Sequence, residues 1–421
     1  MTSRLGPRPL PAHLAAALWT WSGSCIAWRL WRHGSLPSSP GAPGTTATSK
    51  ETPQDLAAAL EAVPPEAFDS ALTRAALARQ QQLLDGIARY RHHPYVRDLD
   101  DPPALWREGT TCLRDYGAVP EAAASDGATP GAAGTVLCVP SLINRAYILD
   151  LKAGKSLLRH LAAGGLRPLL VDWGSPGEAE LAFGLSDYIA GRLDAALEVA
   201  CAEAGGPVAV LGYCMGGTLA TALAQRRPRD VAALGLLAAP WDFHAAQGEQ
   251  GRLLGMAAPV LEPTLASFGC APVDTLQMLF AGLDPYVAVR KFLQFARLDP
   301  DSRRAEDFVA LEDWLNDGIP LPAPVARTCF YDWYGRNTTA RGLWTVAGRP
   351  VDPGAIACPS LVVVPERDRV VPPPSAAALG QALPAATVWR PPLGHIGMVA
   401  SRAARETVWG PLLTWLREML C

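Results

Sequence analysis

Everything else in this chain has to be arranged around Val208-Ala209-Val210-Leu211-Gly212-Tyr213-Cys214-Met215-Gly216-Gly217-Thr218. The apolar run predicts a buried strand, and the residues after it predict a very sharp turn and the first turn of a helix. Glycines two positions either side of Cys214 give G-x-C-x-G, the spacing of a nucleophile elbow with sulfur in place of the usual serine oxygen. A nucleophile in a strained turn needs small neighbours, so that strand and helix can approach closely. The helix N-terminus beneath the thiol favours negative charge and offers backbone N–H groups to an oxyanion. An isolated G-x-C-x-G also fits a buried cysteine at an ordinary strand–helix junction, so the rest of the chain has to decide.

From 135 onwards strand and helix alternate, the pattern of a parallel sheet covered on both faces. Strands are expected at 135–139, 168–172, 207–212, 232–238, 360–364 and 387–390. Helices are expected near 151–163, from Ser186 as N-cap to Ala204, after Cys214, and over 402–420. Between Phe243 and about Trp344 the alternation stops, and Leu and Phe recur at helical spacing. This insertion, 243–345, is expected to sit over the elbow as a substrate-shaping cap.

The region before 135 is of another character. Residues 10–31 (LPAHLAAALWTWSGSCIAWRLW) have the apolar length of a membrane span, but His13, Ser22, Gly23, Ser24 and Arg29 interrupt them. Two readings stay level for segment 1–33: an interfacial helix whose tryptophans meet an oily granule or membrane surface, and a helix packed on the protein's own body. A signal peptide is the rival, but no clean A-x-A site follows. Residues 34–52 read as a flexible linker, and 53–134 as a helical region with an edge strand at 110–116 and a second linker from 117.

Composition excludes several classes. A net charge of −3 without a Lys/Arg cluster gives no basic groove for nucleic acid. The nine cysteines are scattered, odd in number and without a C-x-x-C pair, so neither a disulfide framework nor a metal site is expected. A reducing cytoplasm is the expected compartment.

Ligands of such sheets bind at the carboxyl ends of the strands, where Cys214, Asp242, Asp368 and His395 all fall. The order Cys214…Asp368…His395 is that of an α/β-hydrolase triad: nucleophile, acid, histidine. Cys214 would attack an acyl carbon, His395 would move the protons, and Asp368 would orient the imidazole. Asp242 is the alternative acid, because the acid can follow the earlier strand in this fold. His244 is the weaker second histidine and Glu366 a further acid. Met215 N–H is expected as one oxyanion donor, the other coming from Ser141-Leu142-Ile143. Sulfur tilts the chemistry towards thioester donors or activated lactones.

These stretches resemble the polyhydroxyalkanoate synthases. The matching segments are VPSLINRAYILDL (139–151), LLVDWGSPG (169–177), LGYCMGGTLA (211–220), YDWYGRN (331–337), VAGRPVD (346–352), ERDRVVPP (366–373) and GHIGMV (394–399). The resemblance implies an α/β-hydrolase fold, a mostly parallel sheet with a helical cap insertion and a short helical N-terminal region. It implies an acyltransferase that moves 3-hydroxyacyl groups from coenzyme A to a growing polyester, with Cys214, Asp368 and His395 as triad. It further implies that 139–151 borders the site and that Asn144 lines it. No cofactor is implied beyond the coenzyme A thioester as substrate. A homodimer or a second synthase subunit is left open. So is a hydrolase using water (a thioesterase, a polyester depolymerase or a dienelactone-hydrolase-like enzyme), and a non-catalytic granule protein.

Overall fold

The six strands expected after residue 135 all form. The computed structural model describes residues 4–32, 62–120, 134–245 and 248–420. Linker 34–52 and most of the second linker lie outside these. The main strands are β1 (Ala104–Glu108), β2 (Thr111–Asp115), β3 (Thr135–Val139), β4 (Arg167–Asp172), β5 (Val208–Tyr213), β6 (Val231–Leu237), β7 (Ser360–Val363) and β8 (Ala386–Trp389).

They build one eight-stranded sheet in the order β1-β2-β4-β3-β5-β6-β7-β8. From β4 to β8 every pairing is parallel, whereas β1 and β2 add an antiparallel edge. The central strands read as near-continuous apolar runs because helices cover both faces. Leu137, Leu169, Val210, Leu234 and Val362 are fully buried. Truncating such a residue to alanine costs about 2–5 kcal/mol for a leucine, as lost burial plus a residual cavity. The register sets Val139 opposite Gly212, Tyr213 opposite Leu237, and Leu237 opposite Val363. The loops that follow β3, β5, β6 and β7 therefore leave the sheet side by side.

Several boundaries differ from the sequence expectation. The helix expected from 151 starts at Leu157, after a small antiparallel ribbon of Asp150–Lys152 with Lys155–Ser156. Ser156, not an earlier residue, caps it by accepting from Arg159 N. Ser186 is not an N-cap; its hydroxyl accepts from Ala347 N, and the chain passes through a π-helical turn at Tyr188–Leu193 before the helix Asp194–Ala204. The edge strand β1 carried no apolar alternation, since most of it is exposed.

Tertiary contacts divide the chain into two compact units. One comprises residues 96–283 and 313–421 and holds the whole sheet; the other comprises 1–95 and 284–312. The division departs from a boundary at 134/135 in two places. β1 and β2 belong to the sheet because β2 pairs with β4 and buries Cys112 and Leu113. The middle of the 243–345 insertion, in contrast, groups with the N-terminal helices.

That second unit has its own core. On the helix Pro65–His92, Leu83, Ile87 and Tyr90 meet Phe292 and Phe295 of the helix Val287–Phe295. Gly86 permits the approach: a Cβ there would sit 2.3 Å from the Phe292 carbonyl oxygen. The first helix, Leu10–Arg32, inserts Ala17 and Trp21 into the same core. Trp19, half a turn away, is 82 % exposed, as are Leu18, Ile26 and Leu30 to lesser degrees. Among the described residues no helix is long and apolar enough to cross a membrane.

Candidate active site

β5 runs fully buried to Tyr213, and Cys214 then adopts φ 55° and ψ −131° before the helix Met215–Arg226 begins. A side chain in that region is strained by about 1–3 kcal/mol and persists only when its surroundings over-determine it. They do so here. Cys214 N–H donates to the Leu237 carbonyl at 2.8 Å, and Gly217 N–H donates to the Cys214 carbonyl at 2.9 Å. A Cβ on Gly216 would lie 2.1 Å from the Val139 carbonyl oxygen, and one on Gly212 would lie 2.4 Å from Gly217 Cα. Both glycines are thus required by backbone contact, with the elbow helix seated against the end of β3.

His395 follows β8 and is buried, 8 % exposed. Its Nδ1 lies 2.7 Å from Asp368 Oδ2. The other carboxylate oxygen, Oδ1, accepts from Val370 N and Val371 N, each at 2.8 Å, which fixes the tilt of the carboxylate. The Cys214 sulfur lies close enough to the same imidazole to act on its charge. Burial opposes a charged imidazole, yet charge on the Cys214 sulfur and the hydrogen bond to Asp368 outweigh it, and His395 is pushed up to about 10. The fold brings Cys214, Asp368 and His395 together in the geometry expected for nucleophile, acid and histidine.

Asp242 and His244 go elsewhere. Asp242 Oδ1 accepts from His244 N at 2.9 Å and from Asn337 Nδ2 at 2.8 Å. Asn337 Oδ1 accepts from Phe243 N at 3.0 Å, and His244 Nε2 contacts the Tyr334 carbonyl at 2.7 Å. These groups fasten the chain leaving β6 to the 328–337 segment. Glu366 is exposed.

The loop after β3 borders the elbow. Trp173 Nε1 donates to the Pro140 carbonyl at 3.1 Å, on the stretch that Gly216 abuts. Ile143 N–H is engaged by Ser141 Oγ at 3.1 Å, while Ile143's side chain and Met215 line the cavity beside Cys214. Leu142 is buried. Asn144 forms an isolated bridge to Gly318, its Oδ1 is buried without a partner, and it is not among the lining residues.

A cavity opens over Cys214; its empty space, with the open solvent at its mouth included, is about 740 Å³. Its walls are apolar: Leu276, Leu279 and Phe280 come from the helix Val273–Leu283, and Val370 and Val371 from the Asp368 loop. A π-helical segment, Thr328–Gly335, supplies Cys329, Phe330, Trp333 and Tyr334. Burial pushes the Cys329 thiol up to about 12, with the nearby Asp332 charge adding to it.

Sequence reasoning missed two contributors. Tyr213 OH donates to the His395 carbonyl at 3.3 Å, and its ring centre lies 5.2 Å from the imidazole. Burial, reinforced by charge at Cys214 and Asp368, raises its phenol well above the ordinary value, so it stays a donor. Its place directly before the cysteine was the available signal. The second contributor, the aromatic wall at 328–335, was signalled in part by YDWYGRN (331–337), which contains Trp333 and Tyr334 but to which no site role was assigned.

A family model described as the alpha/beta hydrolase fold matches residues 134–399. The chain is similar to the poly(3-hydroxyalkanoate) polymerase subunit PhaC of Synechocystis sp., 31% identical over 292 residues, which is 67% of this chain and 77% of that protein. The corresponding protein of Allochromatium vinosum is 30% identical over 290 residues, 67% of this chain and 80% of that one. That of Haloferax mediterranei is 30% identical over 287 residues, 67% of this chain but 58% of the relative's length. Among solved structures, the monoacylglycerol lipase of Paleococcus ferrophilus aligns at 17% identity with a TM-score of 0.44, over 69% of this chain and 96% of that one.

Proposed function

Because the chain belongs to the alpha/beta hydrolase fold family and, within it, to the poly(3-hydroxyalkanoate) polymerases, an enzyme family, we propose that it moves 3-hydroxyacyl groups from coenzyme A through Cys214 to the hydroxyl end of a polyester chain. The observation that carries this reading is the placement of His395 between the Asp368 carboxylate and the Cys214 sulfur.

The steps balance without an added reactant. The Cys214 thiolate attacks the thioester carbonyl carbon; the bond to coenzyme A sulfur breaks, and His395 gives its proton to the leaving thiolate. The enzyme is then an acyl-cysteine with a neutral imidazole. A chain-end hydroxyl attacks that carbonyl, His395 takes its proton, and the Cys214 thiolate leaves. Asp368 holds the imidazole in one tautomer throughout. The oxyanion of each tetrahedral intermediate is received by Met215 N–H and by a backbone N–H of the Ser141-Leu142 stretch, since Ile143 N–H is already engaged.

The apolar cavity suits an acyl chain and disfavours water as competing acceptor. The exposed face of the first helix, with Trp19 at its centre, suits contact with the surface of a polyester granule or a membrane.

Purified protein is incubated with 3-hydroxybutyryl-coenzyme A while free thiol release is followed and the product is analysed. Thiol release with polymer supports the reading. Release with free 3-hydroxybutyrate makes the protein a hydrolase, and no release makes it a non-catalytic granule protein.

A further inference from the structure

Of the described residues that line the cavity over Cys214, only Cys214, Cys329, Trp333 and Tyr334 carry a side-chain hydrogen-bond donor. Trp333 is the exceptional one. It is 2 % exposed, and its indole Nε1 is buried without a hydrogen-bond partner. A buried donor left unpaired costs about 1–3 kcal/mol, and natural structures seldom leave one without a reason. The ring itself is well held, stacked on Phe243 at 5.5 Å between centres and edge-on to Trp344 at 5.3 Å. It also sits in a π-helical segment, where Arg336 N–H bonds to the Tyr331 carbonyl five residues back. Such turns are rare and recur at functional sites. Here the wide turn brings Cys329, Phe330, Trp333 and Tyr334 to one wall.

Resting on the acyl-transfer reading above, we propose that the Trp333 indole N–H is the donor that receives the 3-hydroxyl oxygen of the acyl group, so that Trp333 selects hydroxyacyl over plain acyl thioesters. A 3-hydroxyacyl chain brings two oxygens into an otherwise apolar cavity. The carbonyl oxygen is met by the backbone donors at the elbow, and the 3-oxygen needs a donor of its own. A hydroxyl oxygen satisfies the indole and recovers one of the hydrogen bonds it gives up on leaving water. A plain acyl chain leaves the indole unpaired, and a site built to pair a hydroxyl rejects the analogue that lacks it. Burial is the first cause holding the Cys329 thiol protonated, so no charge on that wall competes for the same oxygen.

The test compares single-turnover release of coenzyme A from 3-hydroxybutyryl- and butyryl-coenzyme A. The wild type is expected to prefer the hydroxy substrate by about five- to tenfold, the net worth of one hydrogen bond. Trp333→Phe is expected to lose that preference through the hydroxy substrate alone. Trp344→Phe, which disturbs the same aromatic cluster without touching the donor, is expected to keep it. Retained preference in Trp333→Phe, equal loss in Trp344→Phe, or no preference in the wild type overturns the proposal. Should Trp333→Phe fail to fold, ¹⁵N-labelled tryptophan in the wild type decides: one indole N–H signal must move on acylation by the hydroxyacyl and not by the butyryl group, and the absence of such a signal overturns it. Failure of the acyl-transfer reading looks different: no coenzyme A release from either thioester, or release with free 3-hydroxybutyrate in place of polymer.

Discussion

Asp368 holds His395 with one oxygen, 2.7 Å from Nδ1, and spends the other on the backbone N–H groups of Val370 and Val371. The carboxylate cannot rotate without breaking three hydrogen bonds at once, so the imidazole it orients is fixed by the loop after β7. An amide at this position keeps the size but cannot accept from Nδ1–H while also satisfying both backbone donors in either flip. Asp368→Asn is therefore expected to lower the rate of coenzyme A release by about 10³–10⁴-fold, the scale of the same change in a serine triad. Asp242→Asn is expected to stay within a few-fold of wild type, because an asparagine Oδ1 still accepts from His244 N and Asn337 Nδ2. Steady-state assay of the two variants side by side checks the contrast; the reverse order moves the acid to the chain after β6.

Removing the sulfur changes the histidine. In Cys214→Ala, burial still opposes the imidazolium, while the charge beside it is gone and Asp368 alone remains. His395 is then expected to titrate below the value of about 10 it has in the wild type. The stability consequence has a definite sign. A histidine raised in the folded state contributes fully below its ordinary 6.5, and the contribution disappears as pH climbs to about 10. The melting-temperature difference between wild type and Cys214→Ala should shrink across that window, measured at several pH values alongside the imidazole chemical shift. Activity in the alanine variant should be absent at every pH.

The elbow depends on backbone contact, and one methyl group is enough to test it. A Cβ at Gly216 would fall 2.1 Å from the Val139 carbonyl oxygen and 2.6 Å from that of Pro140, so the helix must lift off the end of β3. Gly216→Ala is expected to cost about 1–3 kcal/mol of stability, the usual range for overpacking. Its loss of coenzyme A release should be out of proportion to this. Urea denaturation and the thiol assay on the same preparation measure both.

The first helix has one face in the core and one in solvent. Trp21 is 7 % exposed and Trp19 is 82 % exposed. Replacing Trp19 and Ile26 with serine is expected to reduce co-sedimentation with polyester granules several-fold while leaving the thermal melt and coenzyme A release as they were. Replacing Trp21 instead should lower the melting temperature. If granule binding is unchanged in the first variant, the exposed face serves another purpose.

Where the candidate site lay in spacing along the chain, it was legible from residues alone. G-x-C-x-G at 212–216, Asp368 after β7 and His395 after β8 each depend on a strand and the few residues beyond it, and a parallel sheet brings such loops together whatever fills the rest. What could not be read depended on distant packing. Nothing local distinguishes Phe292 and Phe295 from the rest of the 243–345 insertion, yet they bury against Leu83, Ile87 and Tyr90 some two hundred residues earlier in the chain. Asp242 had the placement of a triad acid, but Asn337, ninety-five residues on, claims its oxygen. Ser186 looked like a helix cap because Asx- and Ser-type caps are local, and its real partner, Ala347 N, is not.

Cys329 gives the cavity a property that a single-thiol site would lack. An acyl group on one cysteine can migrate to a neighbouring sulfur by thiol–thioester exchange, and exchange requires the neighbour as thiolate. With burial holding Cys329 up near 12, that thiol stays protonated at neutral pH. On the proposed mechanism each 3-hydroxyacyl group is therefore held on Cys214 until a chain-end hydroxyl takes it: the second thiol shares its chamber and stays chemically silent.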